Sequence, residues 1–253
     1  MNEIKINDFV DMNLLNQSMI DNNIPIEHKI KEMHKLVGGQ FYSENIISSP
    51  TVSVCGIGGF PIVNKNGTTM IYGSELKKES LLNALYEMSG ASSFMSFLNP
   101  TGLPLNDLGN KVVNKYQHLS VLHTMTLNVL ITGISIGVEH EFSSQRDIVH
   151  LSRITVAKTK AQSDPCLVLP NKKYISIYED VLKSTKKSIS DNFLKDTELQ
   201  NLLFPTAKAS ALIISGSVRN ILKLIDLKNS GGKEDELIRV LNELDSVIKR
   251  VLF

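Results

Sequence analysis

Cysteine is scarce: Cys55 and Cys166 are the only two in 253 residues. They stand in no metal-ligand spacing, which argues against a zinc site and against a disulfide framework. Long apolar runs are missing as well. The longest, around residues 129–136, is interrupted by Thr132, Gly133 and Ser135 and falls short of a membrane span. An excess of one charge is also lacking, since 27 Lys+Arg against 26 Asp+Glu leave a net charge of +1. No general attraction to nucleic acid or to a membrane surface follows from that balance. The opening MNEIKINDFVDMN is acidic and polar, unlike an export signal. The expectation is a reduced, cytoplasmic compartment and small-molecule partners, with neither nucleic acid nor membrane.

What the chain does have is a crowd of polar groups in one window, residues 133–160, GISIGVEHEFSSQRDIVHLSRITVAKTK. Glu139, His140, Glu141, Gln145, Arg146, Asp147, His150 and Arg153 follow directly on a strongly apolar run. Burying so many charges is costly unless they are paired or bind something. The plainer alternative is a solvated helix face with ordinary ion pairs. Within the window His150 is a candidate general acid or base, with Asp147 or Glu141 tuning it. A structural histidine is the competing assignment.

The hydrophobic pattern describes one α+β domain over 1–253, with 1–50 as an N-terminal extension and 98–112 as a loop of lid-like character. Ile30, Met33, His34 and Val37 share a face and predict a helix over 26–36. Lys65-Asn66-Gly67 between FPIV and TTMIYG predicts a hairpin. Residues 75–88 read as an amphipathic helix, and 98–110, rich in Pro and Gly, as loop. Met125, Leu127, Val129 and Ile131 alternate with Thr126, Asn128, Leu130 and Thr132, which predicts a strand. Residues 146–160 fit helix or strand. A helix is expected over 174–193, with Lys183, Lys186 and Lys187 on a solvated face. Pro205 ends a short helix, and 209–215 reads as a small apolar strand. Ser217 is placed to cap a helix running to about Leu227, and Gly231-Gly232 separates it from a last helix over 234–251. Gly56-Ile57-Gly58-Gly59 lacks the spacing and following helix of a phosphate loop and reads as a turn.

Three segments carry a resemblance. The first is His118-Leu119-Ser120-Val121-Leu122-His123, beside a pattern H-x-S-V-x-E-H. The second is Gly133-Ile134-Ser135, then His140-Glu141 and Ser144-Gln145-Arg146, beside G-[IL]-S-R…H-Q-x-x-R-H-R. The third is Ser215-Gly216-Ser217-Val218-Arg219, then Leu227-Lys228 and Glu236-Leu237, beside G-[NST]-x-R-S-[LW]…[LM]-R and A-Q-x-E-I. In this order and spacing the chain resembles the flavin-dependent thymidylate synthase family over about residues 115–250. The resemblance implies an antiparallel sheet packed with helices and a homotetramer holding FAD at subunit interfaces. It also implies methylenetetrahydrofolate as carbon donor, NADPH as reductant and no protein nucleophile. Carried over by position, His118, Ser120, Ser144, Gln145, Arg146, Ser217 and Arg219 fall on cofactor contacts. Arg219 at a helix start also suits an anion together with the backbone amides there, against a plain salt bridge to Glu236 or Asp226.

The nucleotide positions depart from the family. Its glutamine after the histidine is Glu141, and its downstream S-x-N-E-x-S-x-R-Y is not recognisable: ungapped, the glutamate falls on Ser152, the second serine on Ile154, and the arginine and tyrosine on Val156 and Ala157. A phosphate-binding arginine falls on Asn201, and the arginine that polarises the uracil ring falls on Lys228, which keeps charge but loses the bidentate fork. Lost charged hydrogen bonds at about 1.5–3 kcal/mol each weigh against a dianionic nucleotide. Arg153, Lys158 and Lys160 are the compensating cations. The expectation is therefore an FAD-dependent enzyme of reductive C-methylation or related redox chemistry, with a substrate site not specific for dUMP. Lys228, Arg153 and His150 are its expected catalytic residues, and Glu141, Ser152 and Lys228 its expected substrate contacts. The alternatives are a divergent uridylate methyltransferase and a non-catalytic paralogue serving binding or assembly.

Overall fold

Alternating side chains, a glycine bulge and two serine caps account for most of the architecture. The structure, a computed structural model, describes residues 26–58, 61–64, 67–70, 86, 105–145, 148–153, 166–169, 171–191, 206–232 and 234–252. At 26–27, 57–58, 61–64, 67–70, 105–106, 153 and 189–190 it describes the backbone alone. In chain order the elements are α1 (Ile26–Leu36), β1 (Phe41–Ser43), β2 (Ile46–Ile47), β3 (Thr51–Gly58), β4 (Pro61–Asn64), β5 (Gly67–Met70) and α2 (Leu105–Asn110). A π-helical turn, Lys111–Lys115, and a 3-10 turn, Leu119–Thr124, lead into β6 (Thr126–Ser135), α3 (Ile136–Ser143), β7 (His150–Arg153) and β8 (Leu167–Val168). A 3-10 turn, Lys172–Tyr174, opens α4 (Ile175–Asp191). It is followed by β9 (Ala209–Ser217), α5 (Val218–Asp226), the 3-10 turn Leu227–Asn229 and α6 (Asp235–Leu252).

The central sheet is four-stranded and antiparallel, in the order β3–β6–β9–β7. Strand β9 is inserted between β6 and β7, which run in the same direction and are linked through α3. A second sheet, β1–β2–β8, and the hairpin β4–β5 complete the described strands. The α+β class with an antiparallel sheet packed by helices is as expected.

Strand β6 buries Leu127, Val129 and Ile131 in the main core, together with Leu212 and Ile214 of β9 and the inward row of α6, Leu237, Val240, Leu241, Leu244, Val247 and Ile248. Each such side chain contributes roughly 1.5–3 kcal/mol on full burial. Leu130 of β6 and Ala211 of β9 point to the other face, where Met33 and Val37 cover them. Strict alternation would turn residue 133 into the main core. Instead the register with β9 shifts between Thr132 and Ile134, and Gly133 sits at φ +68, a conformation that favours glycine. The bulge returns Ile134 to the main core and sets Ser135 to cap α3, its side chain accepting the Val138 N–H at 3.2 Å.

One buried polar pair ties α1 to this bulge. His34 is 0% exposed, and its Nδ1 lies 2.7 Å from Thr132 Oγ1. Its ring packs edge-on against Phe41 and fills the space that Gly39 and Gly133 leave open; a Cβ on either glycine would meet the imidazole. Burial pushes its pKa down to about 4, the Gln40 backbone opposing the shift.

Several expectations change. Residues 105–110 are helical, so the stretch read as a 98–110 loop is helix at its C-terminal end, where Pro and Gly counting misled. Gly56 and Gly58 lie inside β3 and pair with Asn128 and Thr126, so the glycine cluster begins as strand rather than turn. Strands β6 and β9 both extend to their capping serines, beyond the expected ends. Residues 150–153 of the ambiguous 146–160 stretch are strand. The expected helix at 75–88, apart from Tyr86, and the break at Pro205 lie outside the described residues, as do 65–66 of the expected hairpin turn.

Candidate functional site

Two segments far apart in sequence meet at one end of the central sheet. The 3-10 turn Leu119–Thr124 packs against α5, and His123 Nδ1 lies 2.8 Å from Ser217 Oγ. Ser217 ends β9 and caps α5: its Oγ also accepts the Asn220 N–H at 3.2 Å. A serine hydroxyl donates one hydrogen and accepts others. It therefore serves cap and imidazole together, accepting from Asn220 and sharing a hydrogen bond with Nδ1 in which the imidazole tautomer sets the donor. With Nδ1 engaged, Nε2 is the His123 ring nitrogen left for a ligand, on an exposed side chain.

His118 and Ser120 stand exposed on the same turn. Arg219, one turn into α5, is half-buried and makes no hydrogen bond or ion pair among the described residues. The alternative salt bridge is not formed: Glu236 instead accepts the Ser135 N–H at 2.7 Å. The backbone amides at the helix start are largely engaged. Val218 N–H donates to the Met125 carbonyl and Asn220 N–H to the Ser217 hydroxyl. An anion here would be met by side chains rather than by a nest of backbone amides.

Register extends the site across the sheet. Asn128 of β6, Ser215 of β9 and His150 of β7 are direct neighbours in one row, with Gly56 of β3 at its far end. Adjacent strands lie about 4.8 Å apart, and Ser217 is about 7 Å along β9 from Ser215. His150 and Ser152 are both exposed on β7. Arg153 shares that strand, pairing with Leu212 through its backbone.

Other expected site residues are not brought to this place. Ser144 Oγ donates to the Glu141 carbonyl at 2.7 Å, and Gln145 Nε2 donates to Ser144 Oγ at 2.9 Å. Glu141 and Gln145 line a crevice with Leu224, Leu227, Leu237 and Leu241 that has no room for a water molecule. It opens among α3, α5 and α6, on the core side. Lys228 lies at the far end of α5, its Nζ 2.7 Å from Asp245 Oδ2, and this bond is the main cause holding the Asp245 carboxyl below its usual range. Arg146 and Asp147 lie outside the described residues. Of the crowded window, Glu139 is buried and accepts from the Ser210 hydroxyl, whereas His140 and His150 are exposed. That mixture is neither a buried charge cluster nor a uniformly solvated face.

Sequence reasoning did not select His123 or Asn128. A histidine in place of the family pattern's glutamate was the available signal for His123. Asn128 gave none, since its place beside Ser215 and His150 follows from strand order. Among the described residues no cluster of His, Cys, Asp and Glu is arranged to hold a metal, and no helix is long and apolar enough to cross a membrane.

No family model matches the chain, and no curated protein matches it. Solved structures do. A UMP/dUMP methylase, PolB from Streptomyces cacaoi bound with 5-Br dUMP, aligns at a TM-score of 0.58 and 9% identity, over 82% of this chain and 93% of that one. The flavin-dependent thymidylate synthase ThyX from Helicobacter pylori, complexed with FAD and dUMP, aligns at 0.50 and 19% identity, over 66% and 89%. The chain therefore has the thymidylate synthase-like fold of these enzymes, in a divergent form.

Proposed function

We propose that the chain is a flavin-dependent enzyme of the nucleotide-methylase kind, with FAD held at the His118–Arg219 end of the sheet. Its substrate is a pyrimidine nucleotide or nucleotide-like metabolite, and its site is not specific for dUMP. The observation that carries the reading is the packing of the turn that follows His118 and holds Ser120 and His123 against α5, where Arg219 lies, with His123 bonded to Ser217. These are separate segments, and each resembles cofactor contacts of one family.

The donor set suits the cofactor. Arg219 and His118 have side chains without hydrogen-bond partners among the described residues, and both can meet the phosphates or ring edge of a flavin dinucleotide. Bound reduced flavin supplies hydride. Arg219 contributes fixed positive charge, and Ser217 holds the His123 ring through Nδ1, leaving Nε2 to take part in proton transfer. His150, with Ser215 and Asn128 beside it, offers a second imidazole for proton transfer. Arg146, Arg153 and Lys228 are the further cations of this reading, and Ser152 and Glu141 its substrate contacts. Lys228 then acts at the substrate in exchange for its bond to Asp245. Methylenetetrahydrofolate, NADPH, a homotetramer with FAD at subunit interfaces and a cytoplasmic location complete the proposal.

A second reading, a divergent uridylate methyltransferase, is favoured by the greater share of this chain that aligns with the UMP/dUMP methylase. The visible spectrum of the purified protein with added FAD tests both. A bound-flavin spectrum supports them, and methyl transfer to UMP or dUMP then separates the second from the first. A protein to which FAD does not bind supports instead the non-catalytic paralogue.

A further inference from the structure

Among the described residues Gln117 alone combines a side chain with a positive φ, +56. It stands directly before His118, where the π-helical turn Lys111–Lys115 closes. There Tyr116 N–H donates to the Lys111 carbonyl at 2.9 Å and His118 N–H to the Val112 carbonyl at 3.0 Å. A left-handed residue at such an end is ordinarily glycine or asparagine, since a Cβ strains it. The backbone alone gives no reason for glutamine. Strained backbone and π-helical turns both gather at functional sites.

The side chain supplies a reason. Gln117 Nε2 donates to the Asn114 carbonyl at 2.9 Å. A carbonyl only accepts, so the amide has one orientation, with its nitrogen on the chain and Oε1 turned away. The residue is exposed, and Oε1 has no hydrogen-bond partner among the described residues. Beside it Tyr116 is 52% exposed, its ring edge-on to that of His118 with centroids 6.4 Å apart. The turn that follows, Leu119–Thr124, packs against both the π-helical turn and α5.

We propose that Gln117 reads a ring N–H of the bound ligand, accepting it on Oε1 while the ring lies against Tyr116. The inference rests on the flavin and pyrimidine reading given under Proposed function and assigns a specificity residue to it. An amide whose nitrogen is already engaged discriminates, because its oxygen favours a donor and repels a ring carbonyl. Oxidised isoalloxazine and uracil each carry one ring N–H, the imide N3–H, so the same contact suits either ring.

Titration of wild type and Gln117→Gly with FAD and with N3-methyl-FAD, followed by flavin fluorescence, tests it. UMP and dUMP against their N3-methyl forms, added to the flavin-loaded proteins, make a second arm that separates the two rings. In the arm that Gln117 reads, N3-methylation should weaken binding to wild type at least about fivefold and leave Gln117→Gly indifferent. The unmethylated ligand should lose a similar factor on Gln117→Gly. The urea midpoint of that variant should hold or rise, since glycine relieves the backbone. A glutamine that serves only the turn would instead lower the midpoint and leave binding alone. Should Gln117→Gly fold poorly, Gln117→Asn takes its place with the same expected loss, because asparagine tolerates the left-handed conformation but lacks the reach. Equal methyl sensitivity of wild type and variant in both arms, beside saturable FAD binding by wild type, overturns this proposal and leaves the flavin reading standing. A wild type that binds no FAD overturns both.

Discussion

His123 and Ser217, 94 positions apart, are joined by a 2.8 Å hydrogen bond that pins the turn before β6 to the first turn of α5. The same hydroxyl caps that helix. One atom therefore links the stability of α5 to the placement of the candidate cofactor residues.

Ser217→Ala should remove both bonds. Loss of a serine N-cap costs about 1 kcal/mol, and FAD affinity should fall with it. Ser217→Thr, which keeps the hydroxyl, should recover most of the stability. His123→Ala leaves the cap in place and should weaken FAD binding with little change in melting temperature. Urea melts beside flavin titrations separate the two variants.

Gly133→Ala should be severely destabilising, because residue 133 sits at φ +68 and its Cβ would lie 2.5 Å from the His34 ring. Backbone strain of about 1–2 kcal/mol and overpacking of about 1–3 kcal/mol act together. Removing the ring relieves only the second, so His34→Ala with Gly133→Ala should cost less than the sum of the single variants. A double-mutant cycle in urea reads this directly.

Stability should fall on mild acidification through His34. Its folded pKa is about 4 against 6.5 for the free group, so the unfolded chain takes up the proton first. Stability is fully present above pH 6.5 and declines towards pH 4. The difference of about 2.5 units corresponds to about 3 kcal/mol. His34→Gln should flatten that decline in melts recorded between pH 7 and pH 4.

Glu236 works in the opposite sense. Burial raises its pKa, opposed by hydrogen bonds from Ser135, so its contribution is present below the free value of 4.5 and is lost as pH rises through the folded value. Glu236→Gln keeps an acceptor for the Ser135 N–H without the charge. It should stay within about 1 kcal/mol of wild type at pH 7, whereas Glu236→Ala, which leaves that N–H unmet, should lose about 1–3 kcal/mol.

The sequence made the long elements legible where periodicity is strong. The 26–36 helix, the β6 strand, the Ser217 cap and the inward row of α6 all follow from spacing alone. Alternation failed at Gly133, since a bulge changes parity and is invisible to a period-two reading. Strands β1, β2 and β8 are two or three residues long, too short to show a period. The site was legible in part. The turn that carries Ser120 packs against α5, where Ser217 and Arg219 lie, but Glu141 and Gln145 line the crevice beside α5 and α6, and Lys228 is joined to Asp245. Position along a motif gave no sign of which face of α3 each side chain takes. The pairing of His34 with Thr132 depends on α1 crossing the sheet, a contact 98 positions apart that composition and spacing do not encode.

The most direct test of the account is a flavin titration comparing wild type with Arg219→Ala, following the absorbance and fluorescence of added FAD. Saturable binding by the wild type, weakened at least about tenfold by the substitution while the melting temperature is kept, is the expected result. Absence of binding by the wild type, or equal binding by both proteins, would contradict the placement of the cofactor at this end of the sheet.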